Sequence, residues 1–285
     1  MTDALTRTPM RKALTAGIAY LIAFLFIAPY IQMFLTALRP EKELFQIPPT
    51  FLPGEFAWDN FIKVWTEAPV GGYLKSSIII SAFSTLLVLI VSWPAAYYVA
   101  RHRFRGRSAF MLLVIATQMF APTALVIGIF REVVSLQNLL GIQLVNSYLA
   151  LVVVNAAFNL AFSIWIMSGY ISTIPVELEE AAAIDGCSRL GTLRRITIPL
   201  AMPGIVTAVI FTFIAAWNEF VIALTLTGTP DVQPLTVGVT VFIGLYDVQW
   251  QYLFAASLVA IVPVVILFIL IEKWLVGGLT AGSVK

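Results

Sequence analysis

Six stretches of about 20 apolar residues dominate this chain, each long enough to cross roughly 30 Å of hydrocarbon at about 1.5 Å per helical residue. They run Ala13 to Thr36, Ser76 to Val99, Ala109 to Ile129, Tyr148 to Ser168, Gly204 to Leu226 and Tyr252 to Ile271. Five contain no Asp, Glu, Lys or Arg, as the cost of placing charge in lipid demands; the sixth carries Glu219. Hydrophobic residues make up 60% of the 285 and charged ones 11%, more apolar surface than one soluble core can hide. The first stretch follows Arg7, Arg11 and Lys12, but it is about twice the length of a signal-peptide core and ends in no small-residue cleavage pattern, so a retained helix is expected.

Lys and Arg concentrate in the loops kept in the cytoplasm. Twelve fall on one side of the alternating spans, among them Arg101, Arg103, Arg105, Arg107, Arg189, Arg194 and Arg195, and five on the other: Arg39, Lys42, Lys63, Lys75 and Arg131. Both termini are therefore expected in the cytoplasm, and the Arg101 to Arg107 run reads as a topology anchor with His102 a solvated member. The expected architecture is an all-α integral membrane protein of six transmembrane helices, one membrane domain over 1–285 with its core over 76–271. Between the first two spans, Phe56, Trp58, Phe61 and Trp65 suggest a short amphipathic helix at the interface.

Seventeen Lys and Arg against fifteen Asp and Glu leave no basic field for nucleic acid. The single Cys187 cannot form an internal disulfide, and with the single His102 it cannot build a zinc site, so no metal or cofactor site is expected in this chain. A membrane enzyme lacks a catalytic constellation here, since no His/Asp/Glu cluster is present.

The segment 169–203 is far longer than a turn between adjacent helices needs. Thr173 and Pro175 read as helix-start signals, with Glu177, Glu179 and Glu180 near the positive end of the dipole. Ala181, Ala182 and Ala183 favour helix with almost no side chain, so a partner surface can approach the backbone. Gly186 is a natural stop, and Ser188 can cap a second helix ending at Pro199 and Pro203.

Glu180-Ala181-Ala182, Gly186 and, after nine residues, Ile196, Ile198 and Pro199 resemble the EAA loop of ABC-importer permease subunits. Ile198 stands where that pattern prefers leucine, a volume-conserving change. AYYVARHRFRGR, AAWNEFVIALTLT and the C-terminal GGLTAGSVK resemble the sugar-uptake branch, the relatives of the smaller maltose permease subunit, and extend the likeness over nearly the whole chain.

This resemblance implies a type I ABC-importer transmembrane domain in a prokaryotic cytoplasmic (inner) membrane, multi-pass. Segment 169–203 would be the cytoplasmic coupling loop and 272–285 a cytoplasmic tail, with Leu279 to Lys285 reaching into the interface of an ATPase pair. It implies as partners a homologous second permease in a heterodimer, a cytoplasmic ATP-binding subunit dimer that holds ATP and Mg, an extracytoplasmic solute-binding protein and a sugar. A Walker A loop requires Gly-Lys, and the chain has no such dipeptide, which agrees with a separate engine. A non-sugar solute such as a polyamine or glycerol phosphate, or an ATP-independent carrier or channel, are the competing readings.

A carboxylate inside the bilayer must face protein or water. Asn218 and Glu219 therefore read either as pathway or outer-gate residues or as forming a structural hydrogen bond to a neighbouring helix. Asn155, Asn159 and Ser163 recur every four residues and share one helix face, which either lines the pathway or binds helices together. Gln118, Pro122 and Pro94 mark irregular backbone.

Overall fold

A computed structural model of the protein describes residues 9–47 and 52–281. The helices are α1 Pro9–Ala37, α2 Glu41–Leu44, α3 Asn60–Glu67, α4 Val70–Arg101, α5 Arg107–Thr117, α6 Pro122–Leu140, α7 Tyr148–Thr173, α8 Glu177–Ile184, α9 Arg189–Trp217, α10 Val221–Leu226, α11 Leu235–Gly238 and α12 Trp250–Ala281. Among the described residues there is no strand beyond the single bridge Ile243 to Val248. Six helices are long and apolar enough to cross a membrane: α1, α4, α6, α7, α9 and α12. Arg7, at the start of the chain, lies outside the described residues. So does the end of the tail, 282–285.

The chain divides into two compact units, 1–68 with 239–259 and 69–238 with 260–285. In the first, the carbonyls left unpaired at the end of α1 are taken up by Asn60, whose Nδ2 donates to Ala37 and Arg39 carbonyls at 2.9 and 3.0 Å. This bond sets the start of α3. The amphipathic helix expected from Phe56 onward therefore begins only at Asn60. Phe56 and Trp58 precede it, and Trp58 and Phe61 pack on Phe34 at 6.1 and 6.0 Å between ring centres.

The second unit is built on α4, α7 and α9. Half of the buried stripe of α4 is small and hydroxylated, Ser76, Ser77, Ser81, Ser84, Thr85 and Ser92, set among Val70, Tyr73, Ile80, Val88, Ala96 and Val99. Small residues let backbones approach closely, as membrane helices require when no water drives them together. Ser84 Oγ donates to the Val152 carbonyl of α7 at 3.2 Å, and Ser163 of α7 meets Thr212 of α9 hydroxyl to hydroxyl at 3.0 Å. Ala96, Met167, Ile171, Ala201 and Ala208 close one part of the core, and Ile80, Leu151, Ile222 and Leu226 another.

Three expected boundaries change. The third span, read as 109–129, is interrupted: α5 ends at Thr117 and α6 starts at Pro122. Proline disfavours the helical conformation at the residue before it, and Ala121 is extended, φ −66° and ψ 132°, so α5 does not run on into α6. Gln118 ties the break to α7 by donating from Nε2 to the Phe158 carbonyl at 2.8 Å.

The fifth span, read as 204–226, breaks after Trp217, where the Glu219 carboxylate takes over the amides that open α10. At its other end, Pro199 and Pro203 do not terminate a separate helix. α9 runs unbroken through both. Pro199 follows directly on a π-type turn over Leu193–Thr197, in which Ile198 N–H donates to the Leu193 carbonyl five residues back. It stands in the first turn of the α-helical segment beyond, where no N–H is required, while Pro203 lies within that segment.

Candidate coupling site and membrane polar residues

Helix α8 stands between the end of α7 and the start of α9. Thr173 is not its start signal: it is the last residue of α7, where its Oγ1 donates to the Tyr170 carbonyl at 2.7 Å. Pro175 and Val176 lead into α8, and Glu177, Glu179 and Glu180 fill its first turn, where the dipole favours negative charge. The helix stops at Gly186, whose φ of +82° is a left-handed conformation that residues with a Cβ adopt only under strain. Cys187 N–H then donates to the Ala182 carbonyl at 2.9 Å, which folds the chain back. Ser188 caps α9 through Oγ, which accepts from Gly191 N–H at 3.2 Å.

The EAA residues divide between two faces. Glu180, Ala181 and Gly186 are exposed beside Val176, Leu178 and Ile184, while Ala182 is buried against the protein. Ile198 lines a recess with Leu89, Trp93, Met167 and Ile205, and Ile196 is half-buried in the π-type turn, with Pro199 exposed beyond it. The far part of the motif thus anchors the root of α9 while the near part presents an exposed face.

The residue that joins these parts is Glu179. Its Oε2 accepts from the Tyr97 hydroxyl at 2.9 Å, and its Oε1 accepts from Arg101 Nε at 3.0 Å and from Thr197 Oγ1 at 3.0 Å. The Arg101 guanidinium completes an ion pair at 2.9 Å, with side chains only 7% and 12% exposed for Arg101 and Glu179. Burial pushes the Glu179 carboxyl up, but the hydrogen bonds from Arg101, Tyr97 and Thr197 outweigh it, so the group titrates below the ordinary value of 4.5. Arg101, read from sequence as a topology anchor, is here a buried partner. The available signal was an arginine at the very end of a span and an extra glutamate beside the motif.

The polar residues within the spans are placed as follows. Asn155 is buried and donates from Nδ2 to the Leu151 carbonyl at 2.9 Å; Asn159, half-buried, donates likewise to the Asn155 carbonyl at 2.9 Å. Ser163 of that stripe forms its hydrogen bond across to another helix, at Thr212. Asn218 is exposed in the break after α9. Glu219 accepts from Ile222 and Ala223 N–H at 2.7 and 2.9 Å, while its own carbonyl accepts from Thr236 Oγ1 at 2.7 Å.

Residues 89–280 match the family described as the binding-protein-dependent transport system inner membrane component. The chain belongs to that family. It is 35% identical over 275 residues to the trehalose/maltose transport system permease protein MalG of Thermococcus litoralis, covering 94% of each. It is 34% identical to the sulfoquinovosyl glycerol transport system permease protein SmoH of Agrobacterium fabrum, over 90% of this chain and 88% of that one. Against the inner membrane ABC transporter permease protein YcjP of Escherichia coli the identity is 32%, over 98% of both. Among solved structures, a bacterial ABC transporter involved in alginate import shares the fold with a TM-score of 0.77 at 23% identity, covering 93% of this chain and 96% of that one. As an inner membrane transport component, the chain is a multi-pass membrane protein whose matched region holds both the α8 site and the Glu219 break.

Proposed function

We propose that this protein is the permease subunit of an ABC importer for a carbohydrate. It forms half of the translocation pathway and takes its drive from a separate ATP-hydrolysing subunit, which holds ATP and Mg, through α8. The observation that carries this is the exposed face of α8: Glu180, Ala181, Gly186 and the large apolar side chains of Leu178 and Ile184 lie open on a short helix whose opposite side is fixed to α4 and α9. Such a face suits a cleft on a partner, and alanines let that partner reach the backbone. Sugar as the solute is supported by relatives named for trehalose/maltose, diacetylchitobiose and arabinooligosaccharides.

In this reading both termini and α8 lie in the cytoplasm, as the division of Lys and Arg favours, twelve to four now that Arg131 falls within α6 and not in a loop. A second permease completes the pathway and a binding protein delivers solute from the other side. The two interrupted helices, with exposed Asn218 and the carboxylate of Glu219 at one break, supply irregular backbone where a pathway or outer gate can hold water. The burial of Asn155 and the bonds of Asn155 and Asn159 within α7 favour their other role, holding the helices in place.

The test is ATPase activity of the reconstituted complex over a panel of sugars presented on the binding protein, comparing native chain with Glu180→Lys and Gly186→Asp. Stimulation by a sugar that is lost in both variants, with the complex still assembled, supports the reading. Solute flux through this chain alone, indifferent to ATP and to both substitutions, overturns it.

A further inference from the structure

Among the described residues, every side-chain hydrogen bond between α8 and a membrane helix ends on Glu179. The three donors come from two elements distant in sequence: Tyr97 and Arg101 from the last turns of α4, and Thr197 from the π-type turn at the root of α9. Glu179 neighbours Glu180, which is exposed, so one turn of α8 has an open face and a buried anchor.

A buried ion pair is poor evidence of stability, since apolar residues of similar size often serve as well; in some proteins what it supplies is one geometry rather than several. The π-type turn adds a second feature, an irregular backbone element at the root of α9 that bears one of the three donors. Its five-residue bond from Ile198 to Leu193 is a single inserted register step, the kind of irregularity found often at functional sites within helices.

We propose that Glu179 is the pin through which displacement of α8 reaches the membrane, drawing the end of α4 and the π-type turn of α9 together as one body. Glu179, Arg101, Tyr97 and Thr197 are in this sense positioning residues. They touch no solute and act through the helices they join. The inference rests on the reading of α8 as the docking helix for an ATPase.

The experiment compares sugar imported per ATP hydrolysed in proteoliposomes holding the full complex. Removing one charge would strand the other, so the informative variant is the double change Glu179→Gln with Arg101→Met, which leaves no uncompensated charge. It is expected to assemble and hydrolyse ATP but to import about tenfold less sugar per ATP, the size of a typical coupling between sites. An unchanged ratio in the assembled complex overturns the pin. Should the double variant fail to assemble, Tyr97→Phe with Thr197→Val decides, because it keeps the ion pair: a lowered ratio supports the proposal and a native ratio overturns it.

A second readout needs no ATPase. With Cys187→Ser as background, spin labels at Ile184→Cys and Arg103→Cys report the distance between α8 and the end of α4 in the chain alone. The distribution is expected to be narrow with Glu179 present and broad in the double variant; equal widths overturn the pin. A native complex that ignores sugar-loaded binding protein would instead sink the importer reading, and the label distances would still decide the tie.

Discussion

Gly204 on α9 lies so close to Tyr170 on α7 that a Cβ at position 204 would stand 2.6 Å from the tyrosine Cβ and Cγ. No real contact is that short, so the helices must part or the ring must turn. Gly204→Ala is expected to lower stability by about 1–3 kcal/mol, the usual penalty for overpacking. Adding Tyr170→Ala should return part of it. Thermal unfolding in detergent reads both, and equal melting of native and Gly204→Ala protein would show that the α7–α9 contact yields.

Glu219 serves α10 as a side-chain cap, with both oxygens occupied by amides at 2.7 and 2.9 Å. Glu219→Gln keeps one acceptor and Glu219→Ala none, so stability should fall in the order Glu, Gln, Ala, by about 1 kcal/mol per lost bond. Melting and sugar uptake measured on the same preparations separate the roles: uptake that follows melting marks a structural cap, whereas uptake abolished in Gln at unchanged melting marks a pathway carboxylate.

At Gly186 a built Cβ would meet nothing within 4 Å, so substitution there is opposed by backbone conformation alone. Gly186→Ala should loosen the end of α8 by about 1–2 kcal/mol, and Gly186→Asn by less, because Asn tolerates the left-handed region. Hydrogen exchange of the Asp185 to Cys187 amides tests this ordering.

Because the Glu179 carboxyl is held below 4.5 in the folded protein, its bonds to Arg101, Tyr97 and Thr197 contribute stability that is fully present above pH 4.5 and lost as pH falls below it. Arg189 is the further charge acting on this cluster, through Tyr97. Exchange protection at the root of α9 is expected to drop on acidification in native protein. The Glu179→Gln variant should show a flatter profile, and parallel profiles would mean that another group governs the loss.

Ser163 and Thr212 share a hydroxyl contact at 3.0 Å between α7 and α9. A double-mutant cycle with Ser163→Ala and Thr212→Val should return a coupling of about 0.6 kcal/mol, typical of hydrogen bonds between membrane helices. A coupling near zero would assign the interface to packing alone.

Hydrophobic length is a local property, written residue by residue in the chain, and so six membrane-crossing helices and one unusually long polar connector could be read without coordinates. The helix over the three alanines and its stop at Gly186 were equally readable, since propensity and the left-handed turn depend on few neighbours. Interruptions were harder. Pro122 pointed to a break, but Pro199 and Pro203 pointed to an end that never comes, because Pro199 stands in the first turn after a π-type segment, where no N–H is needed, and the helix carries Pro203 in its interior. Side-chain partnership was out of reach altogether. Arg101 and Glu179 are 78 residues apart, and an arginine at the end of a span beside an extra glutamate near the motif is compatible with a solvated topology anchor as much as with a buried ion pair. That choice is made only when α4, α8 and α9 pack, for burial and pairing belong to the assembled bundle and to no single helix within it.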